Sequence, residues 1–430
     1  LNANTIAVAR DIRDSGPELH SAFLKGLNSS GVDVLDLGIT TTGVLYRATV
    51  DLSVDAAVVI TASHNPPEYN GFKICNGALP MAGQELQELK KTFDDNLFKQ
   101  GNGIVKDYSQ FEDKYLDTIV SNAGIPRRKI KIAIDCGNAV PGPLTIKLME
   151  KLNVDLIPVH CDWDNKFPNH PPDPTRPENM KDLAKAVVEN NAEFGIGMDG
   201  DGDRIGVVDQ EGRFIHPDRL MTIFVKDILA ERKGGTESER TVFYDVKCSM
   251  ALEEAIYSSG GIPKMVRTGH SFMKRELKEN PDSPLAGEMS GHFFLNDRWP
   301  GFDDSLYNTA RLLEIIAREP SPNDGGPKFS DWFEDLPKYA STGEAKVPLT
   351  MNRNETMDSV ERKFSDMKYS TVDGVRVRYP EGWFLCRPSN TEPILVMRAE
   401  ANDEQGLIKI KQDIEERLGG IINLEKFHNS

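Results

Sequence analysis

Four polar loops carry the side chains of this sequence that could do chemistry, and the first of them holds a serine. Residues 56–73 read AAVVITASHNPPEYNGFK, an apolar, β-branched run that ends at Thr61 and gives way to Ser63, His64 and two prolines. A serine here can cap a turn or act as a nucleophile, and as a nucleophile it needs an activating base or metal. His64 is not expected to activate Ser63, because adjacent residues rarely adopt the geometry of a serine–histidine pair.

The second loop alternates aspartate with glycine, within FGIGMDGDGDRIGVVD. The glycines let the backbone curl, so the carboxylates of Asp199, Asp201 and Asp203 can converge on a hard cation. A calcium helix-loop-helix site would need glycine and glutamate at the sixth and twelfth positions, where the sequence has Arg204 and Gln210. Three carboxylates between apolar, strand-like flanks therefore favour Mg²⁺ in phosphoryl chemistry, with an accidental acidic turn as the alternative.

The third loop is AGEMSGHFFLND, in which Glu288, Ser290 and His292 alternate. Alternation allows all three side chains to project to one side, where they would offer a carboxylate, a hydroxyl and an imidazole to a polyhydroxy ligand. A buried histidine with satisfied hydrogen bonds, beside an ordinary turn, is an equally good interpretation of this stretch.

The fourth loop, CRPSNTEP, lies between two apolar segments, and its polar side chains are those of Arg387, Ser389, Asn390 and Thr391. A guanidinium together with hydroxyls and loop amides can cradle a phosphate, although an ordinary polar turn has the same composition. Two further stretches, DVKCS with Lys247 and TGHSFMK with His270 and Lys274, place cationic or proton-shuttling groups at loop positions.

The elements that must position these loops alternate between strand-like and helix-like patterns. TIAVA, a polar helix candidate at residues 16–29, VDVLDLG and VDAAVVI follow one another, and similar units open at KIKIAIDCGNAVPG and RTVFYDVKCSMALEEAIYSSGG. Three such openings predict three related α/β domains. Beyond the Pro- and Gly-rich segment at residues 320–328, GVRVRYPEGWFLCRPSNTEPILVMRAEA is interpreted as two strands around a loop, followed by a helix, in a smaller α+β domain.

Composition excludes several classes of function. A chain of 430 residues with a formal net charge of −16 repels nucleic acid and anionic membranes, so an anionic ligand needs a local cluster of cations and amides. The five cysteines are widely spaced and odd in number, which is typical of reduced thiols, and the first residues lack the pattern of a signal peptide. We expect a cytoplasmic protein that binds small molecules, neither nucleic acid nor membranes.

Together and in this order, TASHNP, DGDGDR, GEMSGH and RPSNTEP resemble the α-D-phosphohexomutase superfamily, and Met289 in GEMSGH resembles its phosphomannomutase/phosphoglucomutase branch. The resemblance covers nearly the whole chain, since ARDIRDSG, DCGN, DVKC, TGHS and GFDD also match. It implies three α/β domains with mixed sheets and a C-terminal α+β domain resembling the TATA-binding protein, around a central cleft. The boundaries expected from it are 1–108, 109–213, 214–331 and 332–430.

The resemblance also assigns roles to residues. It implies that Ser63 is the phosphoserine, that one Mg²⁺ binds Asp199, Asp201, Asp203 and the group on Ser63, and that the sugar hydroxyls meet Glu288, Ser290 and His292. Arg387, Ser389, Asn390 and Thr391 would hold the phosphate that is not reacting. Lys73, Arg204 and Lys247 would neutralise the transferring group, and the candidates for the general base are His270, Lys73 and His292.

The activity expected from the resemblance is an isomerase that interconverts hexose 1-phosphates and 6-phosphates through a bisphosphate, with glucose or mannose 1,6-bisphosphate as activator. The alternatives are a phosphoglucosamine mutase, a phosphoserine-dependent sugar-phosphate phosphatase and a non-catalytic sugar-phosphate sensor.

Two departures from the family pattern stand out. The family usually opens with a strand carrying a pattern like Tyr-Asp-Ile-Arg-Gly, and the sequence has none before ANTIAVARDIRDSG, so we expect that part of the site to be missing from this chain. The family's usual Thr-Pro after the second strand is replaced by Thr42-Gly43, which we expect to loosen a turn without touching the chemistry.

Overall fold

The computed structural model describes residues 3–349, 352–389 and 392–430. Asn390 and Thr391, both expected in the phosphate-binding loop, lie outside the described residues. The described chain forms four β-sheets that follow one another along the sequence.

The first sheet contains the serine loop. Its strands are β1 (Thr5–Arg10), β2 (Asp33–Ile39), β3 (Ala56–Ile60), β4 (Phe72–Asn76), β5 (Leu79–Pro80) and β6 (Val105–Asp107). Its helices are α1 (Gly16–Ser29), α2 (Thr42–Asp51) and α3 (Gln84–Asp94). The strand order is β5-β4-β3-β1-β2-β6, in which β3, β1, β2 and β6 are parallel and β4 runs antiparallel to β3. The continuous apolar sequence of β3 follows from its burial on both faces.

The second sheet contains the acidic loop. Its strands are β7 (Lys131–Asp135), β8 (Asp155–Val159), β9 (Phe194–Met198), β10 (Ile205–Val208) and β11 (Phe214–Ile215). The helices of this unit are α4 (Phe111–Ala123), α5 (Gly142–Lys151) and α6 (Lys181–Glu189). The order is β11-β10-β9-β7-β8, with β7, β8 and β9 parallel and β10 antiparallel to β9.

The third sheet contains the Glu288–His292 loop. Its strands are β12 (Thr241–Asp245), β13 (Ile262–Val266), β14 (Leu285–Gly287) and β15 (Phe293–Leu295). The helices are α7 (Pro217–Ala230), α8 (Glu237–Arg240), α9 (Met250–Ser258), α10 (His270–Glu279) and α11 (Ser305–Ile316). Here β12 pairs in parallel with β13 and β14, and β15 returns antiparallel to β14.

The fourth sheet is antiparallel throughout. Its strands are β16 (Ala340–Ser341), β17 (Ala345–Pro348), β18 (Lys368–Ser370), β19 (Val375–Arg378), β20 (Gly382–Pro388) and β21 (Ile394–Ala401). Its helices are α12 (Arg353–Lys363), α13 (Glu404–Leu418) and α14 (Glu425–His428), and both α12 and α13 pack against β20. Three α/β units with mixed sheets and an α+β unit at the C-terminus confirm the expected fold class.

One sequence-based interpretation of the fourth sheet is wrong. The stretch from Gly374 to Ala401 forms three strands, β19, β20 and β21, where two were expected. A tight turn divides the first expected strand, because the backbone amides and carbonyls of Tyr379 and Gly382 bond to each other at 2.8 and 3.3 Å.

The four functional loops share one position in their sheets. Each joins two antiparallel neighbours: β3 to β4, β9 to β10, β14 to β15, and β20 to β21. In the first three sheets the strand before the loop pairs in parallel with one neighbour and antiparallel with the other, so parallel pairing ends there. This equivalence confirms that three related units are repeated along the chain.

The two largest clusters of buried apolar side chains lie on opposite sides of the boundary with the C-terminal domain, and a small cluster of Val246, Trp383 and Leu385 bridges it. One cluster of buried side chains runs continuously through the first three sheets, from Ala7 to Leu336. A separate cluster, from Ala345 to Phe427, fills the C-terminal domain. Among the described residues no helix is long and apolar enough to cross a membrane.

Candidate active site

Ser63 lies beyond the end of β3, in the loop that leads to β4. Its φ of 50° puts it in the left-handed region, which residues other than glycine rarely adopt and which the surrounding structure must support. Part of that support is local, because the hydroxyl of Thr61 accepts a hydrogen bond from the backbone N–H of Ser63 at 3.0 Å.

The rest of the support comes from Arg13, whose side chain is 0% exposed. Its two Nη atoms donate to four backbone carbonyl oxygens of the serine loop, those of Ser63, Asn65, Pro66 and Tyr69, at 2.7, 2.8, 2.5 and 3.0 Å. Its Nε donates to Asp11 Oδ2 at 3.0 Å, and that carboxylate in turn accepts from the hydroxyl of Thr61 at 2.7 Å. The planar fork of one guanidinium therefore fixes the path of the loop.

The acidic loop meets the serine directly. Asp199, Asp201 and Asp203 are fully buried after β9, and one carboxylate oxygen of each lies within 4.8 Å of the others. Ser63 Oγ donates to Asp199 Oδ2 at 2.7 Å, although 136 residues separate the two in the chain. Gly200 permits this approach, because a Cβ at that position would lie 2.2 Å from the carbonyl oxygen of Ser63.

The acidic loop has the donor set of a Mg²⁺ site. Within the described chain, Oδ1 of Asp201 and Oδ1 of Asp203 are buried and have no hydrogen-bond partner. A buried carboxylate oxygen without a partner is costly, and ligation of a cation removes that cost. Three converging carboxylates of the hard type therefore fit Mg²⁺, with coordination positions left for water or a phosphate oxygen.

Two cations already compensate the buried carboxylates. Lys73 Nζ lies 2.6 Å from both Asp201 Oδ2 and Asp203 Oδ2. Burial lowers the pKa of Lys73, but the two carboxylates outweigh it and raise the pKa above its ordinary value, so this amine stays protonated. Arg204 Nε lies 3.7 Å from Asp199 and 3.9 Å from Asp203.

His292 and His270 lie on the far side of these cations. Arg204 Nε donates to His292 Nε2 at 2.9 Å, and His292 Nδ1 lies 2.8 Å from Asp303 Oδ2. The His270 ring stacks on His292 with centroids 5.6 Å apart. Burial and the neighbouring Lys274 lower the pKa of His270 well below its ordinary value, so that imidazole is neutral at physiological pH.

His64 lies next to the hydroxyl of Ser63 in space as well as in the chain. Its Nδ1 lies 3.2 Å from Ser63 Oγ, but the Ser63 hydroxyl donates its one proton to Asp199, so this contact does not make His64 the base that activates the serine. The left-handed conformation of Ser63 changes the relative direction of the two side chains. Burial and the nearby Arg204 lower the pKa of His64 to about 4, which leaves the ring neutral.

Thr42 joins the start of α2 to the acidic loop. Thr42 begins α2 after Thr41, whose hydroxyl accepts from the amide of Val44 as an N-cap. Thr42 Oγ1 donates to Asp201 Oδ2 at 2.6 Å, and its backbone N–H donates to the carbonyl oxygen of Asp201. Thr42, which the family pattern shares, therefore contacts the acidic loop, while the expectation for the replaced residue, Gly43, stays a prediction.

A cleft of about 760 Å³ opens beside this cluster and is walled by all four structural units. Among its lining residues are His64, Arg204, Lys247, Ser290, Glu344 and Arg398. Ser290 Oγ donates to Glu288 Oε2 at 2.9 Å, and Glu288 Oε1 accepts from the amide of Gly269 at 2.5 Å. Glu288 and His292 are almost fully buried, so Ser290 is the exposed member of the three.

Lys247 joins the third unit to the C-terminal domain. Its Nζ lies 2.9 Å from Glu344 Oε1 and 3.9 Å from Asp245 Oδ2. Burial lowers the pKa of Lys247, but Glu344 and Asp245 outweigh it and raise the pKa, which keeps the amine charged at the cleft wall.

Arg387 lies at the end of β20 and is buried. Its Nε donates to Asp373 Oδ2 at 2.7 Å, and the same carboxylate oxygen accepts from the backbone N–H of Thr268 at 3.2 Å. Ser389 follows it, and its hydroxyl accepts from the amide of Glu392 at 3.2 Å. The structure thus places Arg387 next to the loop that carries His270, while Asn390 and Thr391 lie outside the described residues.

Sequence reasoning did not assign a role to several residues that the structure brings to the site: Arg13, Thr42, Asp303, Glu344 and Arg398. Two of these had a signal, because ARDIRDSG and GFDD stand out as polar stretches after apolar runs. The other three contact the site only through long-range packing, which neither spacing nor composition reveals.

Comparison with known proteins agrees with this arrangement. Four domain families match consecutive parts of the chain: "Phosphoglucomutase/phosphomannomutase, alpha/beta/alpha" domains I (residues 1–100), II (113–212) and III (216–339), and the C-terminal domain (344–417). A phosphomannomutase/phosphoglucomutase of Pseudomonas aeruginosa is 40% identical over 97% of this chain and 88% of its own length. A phosphoglucomutase of Neisseria gonorrhoeae is 41% identical over 94% of this chain and 86% of its own.

A crystal structure of a phosphoglucomutase/phosphomannomutase family protein from Burkholderia thailandensis matches with a TM-score of 0.88. It is 40% identical, and the match covers 97% of this chain and 89% of that one. Four matching domains in order, and similarity over nearly the full length of these relatives, lead to one conclusion: the chain belongs to the phosphoglucomutase/phosphomannomutase family of isomerases.

Proposed function

We propose that the chain catalyses the reversible conversion of hexose 1-phosphates and hexose 6-phosphates, with glucose and mannose phosphates as substrates. The observation that carries the proposal is the contact of Ser63 Oγ with Asp199 inside a buried acidic cluster, at the edge of a cleft lined by Arg204 and Lys247. A strained, supported serine beside a metal-type donor set and fixed cations is suited to phosphoryl transfer.

In the proposed cycle Ser63 carries the phosphoryl group. A sugar hydroxyl attacks the phosphorus, the bond to Ser63 Oγ breaks, and the hydroxyl proton passes to a base. The resulting bisphosphate turns round in the cleft, and its other phosphoryl group returns to Ser63 with protonation of the released sugar oxygen. Glucose or mannose 1,6-bisphosphate would therefore act as activator, because it phosphorylates an enzyme that has lost its phosphate.

The cations would stabilise this transfer. Mg²⁺ held by Asp199, Asp201 and Asp203 would supply a Lewis acid for a non-bridging phosphoryl oxygen. Arg204 lies between the acidic loop and the cleft, where its guanidinium can contact the transferring group. Lys73 holds two of the carboxylates in place and adds positive charge behind them.

For the general base we propose His270. Among the three candidates, Lys73 is held protonated, and Nε2 of His292 already accepts from Arg204. The His270 ring is neutral and its side chain is 29% exposed, although its Nδ1 is buried without a hydrogen-bond partner within the described residues. A neutral imidazole is the form that accepts a proton.

The remaining assignments concern the sugar-binding and phosphate-binding loops, the domain boundaries and the location of the protein. We propose that Glu288, Ser290 and His292 form the sugar-binding loop, and that Arg387, Ser389, Asn390 and Thr391 bind the non-reacting phosphate. We also propose the domain boundaries 1–108, 109–213, 214–331 and 332–430, and a cytoplasmic location; the five buried, unpaired cysteines support the location.

The test is a side-by-side kinetic assay of glucose 1-phosphate, mannose 1-phosphate and glucosamine 1-phosphate, with Mg²⁺ and a catalytic amount of hexose 1,6-bisphosphate. Comparable kcat/KM for the first two substrates and little for the third are expected. A preference for glucosamine 1-phosphate, or phosphate release as fast as isomer formation, would refute the proposal. Ser63→Ala should bind hexose phosphate and lose turnover, since it lacks the atom that accepts the phosphoryl group.

A further inference from the structure

A cluster of two histidines and one aspartate lies outside the site described above. Asp135 ends β7, His160 follows the end of β8, and His170 lies ten residues further along the same loop. One ring nitrogen of each histidine and one oxygen of Asp135 all lie within 4.8 Å of one another. The parallel pairing of β7 with β8 explains the convergence, because it brings the ends of both strands to the same edge.

The hydrogen bonds of His170 leave an unsatisfied lone pair. His170 Nδ1 lies 2.9 Å from the carbonyl oxygen of Pro171, which can only accept, so Nδ1 carries a proton. In the neutral ring Nε2 is then an acceptor, yet it lies 3.0 Å from Oδ2 of Asp135, which is also an acceptor. Two lone pairs at that distance require either a second proton on the ring or a cation between them.

The outer contacts of the cluster are those of a metal site. Asp135 Oδ1 accepts from the backbone N–H of Gly137 at 2.8 Å, so Oδ2 is its free oxygen. His160 Nε2 lies 3.0 Å from Oδ2 of Asp182, which can accept a hydrogen bond from the Nε2–H. In that tautomer Nδ1 has the free lone pair. Metal-ligating histidines characteristically donate their other ring N–H to a carbonyl or a carboxylate, as both histidines do here.

The spacing and access also fit a metal ion. Two ligands about 2.0 Å from a tetrahedral ion lie about 3.3 Å apart, close to the observed separation of His170 Nε2 and Asp135 Oδ2. The side chains of His160 and His170 are 22% and 15% exposed, so an ion can enter from solvent, while Asp135 is buried. Imidazole with carboxylate suits Zn²⁺ and not Mg²⁺, which prefers oxygen ligands alone.

We propose that Asp135, His160 and His170 bind one Zn²⁺ ion, at a site that shares no residue with the magnesium loop. A solvent molecule completes its coordination. The ion ties the loop between the two histidines to the end of β7.

This loop supports the catalytic serine. Within it, the Phe167 ring lies 5.3 Å from the guanidinium carbon of Arg13. Just beyond it, Pro172 lies 3.2 Å from the position that a Cβ on Gly200 would occupy. A metal at the base of the loop would stiffen the surface on which both residues rest.

The experiment uses the full chain, stripped with a chelator and returned to excess Mg²⁺ so that the carboxylate loop is occupied. Titration with Co²⁺ should give visible d–d absorption that saturates at one equivalent and is displaced by Zn²⁺. Proton NMR of the Co²⁺ form should show two paramagnetically shifted imidazole N–H signals. Because His292 lies near Asp203, a Co²⁺ ion in the acidic loop could also shift an imidazole signal, so the signals are assigned by their loss in the histidine variants below.

His160→Gln and His170→Gln should each weaken Co²⁺ and Zn²⁺ binding roughly 100-fold or more and remove the shifted signals. His20→Gln is the matched control. His20 also pairs with an aspartate, Asp36, at 3.0 Å, but within the described residues it belongs to no group of three side chains that could hold a metal ion. Near-UV circular dichroism checks that every variant is folded.

Absence of the Co²⁺ signals in the folded wild-type chain would overturn the proposal and leave a protonated His170 paired with Asp135. Unchanged binding in both histidine variants would overturn it equally. Neither result depends on mutase turnover, so the proposal stands or falls independently of the proposed function.

Discussion

Replacing Arg13 by methionine is expected to cost both stability and turnover, because this one side chain holds the loop that carries Ser63, the proposed phosphoserine. Methionine fills a similar volume but donates no hydrogen bond. The variant therefore loses four bonds to the loop carbonyls and the bond to Asp11.

The expected magnitude follows from those contacts. Four carbonyl oxygens lose a charged donor, at about 1 kcal/mol each, and removing one partner of a buried ion pair costs about 3–5 kcal/mol in measured cases. These two costs overlap, so we expect the free energy of unfolding to fall by about 3–5 kcal/mol. A shift of about 1 Å in Ser63 is expected to lower kcat roughly 100-fold.

Urea unfolding gives the stability, and the coupled mutase assay gives kcat on the fraction that remains folded. Arg10→Met is the control, since Arg10 ends β1 three residues before Arg13 and donates to the backbone oxygen of Asp11, away from the serine loop. Arg13→Lys keeps the charge without the planar fork and should fall between the two. A folded Arg13→Met with kcat within about threefold of Arg10→Met would refute the reasoning.

Two further predictions concern close packing and pH. Gly200→Ala should lower kcat at least about tenfold, because its Cβ would lie 2.2 Å from the carbonyl oxygen of Ser63 and must displace the serine loop. Burial raises the pKa of Asp304 to about 7. The folded chain therefore binds more protons than the unfolded chain between about pH 4 and 7. The stability that this group contributes is lost as the pH rises through that window. Asp304→Asn should therefore gain about 1–2 kcal/mol over the parent between pH 5.5 and 8, measured by urea unfolding.

Each of these two predictions has its own control. Gly26→Ala places its Cβ in open space on α1 and should leave kcat unchanged; equal kinetics in both glycine variants would contradict the packing argument. For Asp304, whose side chain caps α11 through the amides of Leu306 and Tyr307, asparagine preserves the cap. A pH-independent difference between Asp304→Asn and the parent would show that Asp304 does not titrate in this range.

The loops that carry chemistry could be found from the sequence because local rules determine them. Two prolines end the pairing after β3, and alternating glycines mark the acidic turn, so the positions of Ser63 and Asp199 follow from nearby residues. What brings those two side chains to 2.7 Å is packing between two sheets, and no local pattern encodes it.

The contacts that the sequence did not reveal have the same explanation. Arg13 contacts carbonyls about 50 residues away, and Thr42 contacts Asp201 across 159 residues. His64 Nδ1 lies 3.2 Å from Ser63 Oγ, next to a serine with a positive φ, which a sequence pattern does not reveal for a residue other than glycine. The missed turn is different, because Pro380, Glu381 and Gly382 are turn-forming residues between two strand-like segments, so the sequence did carry a local signal for it.

The separate core of the C-terminal domain has a consequence for how the molecule moves. The first three sheets share one continuous core and the fourth sheet has its own, and a small apolar contact of Val246 with Trp383 and Leu385 joins the two. A rotation of the fourth sheet would break this small contact and leave both large cores intact. The bonds that cross this boundary near the cleft are polar, such as Lys247 with Glu344 and Thr268 with Asp373. A bound phosphate could replace Glu344 as the partner of Lys247, and Asp373 as the partner of the Thr268 amide. We therefore expect the C-terminal domain to open while the proposed bisphosphate turns round, and to close over the cleft and exclude water while the phosphoryl group is transferred.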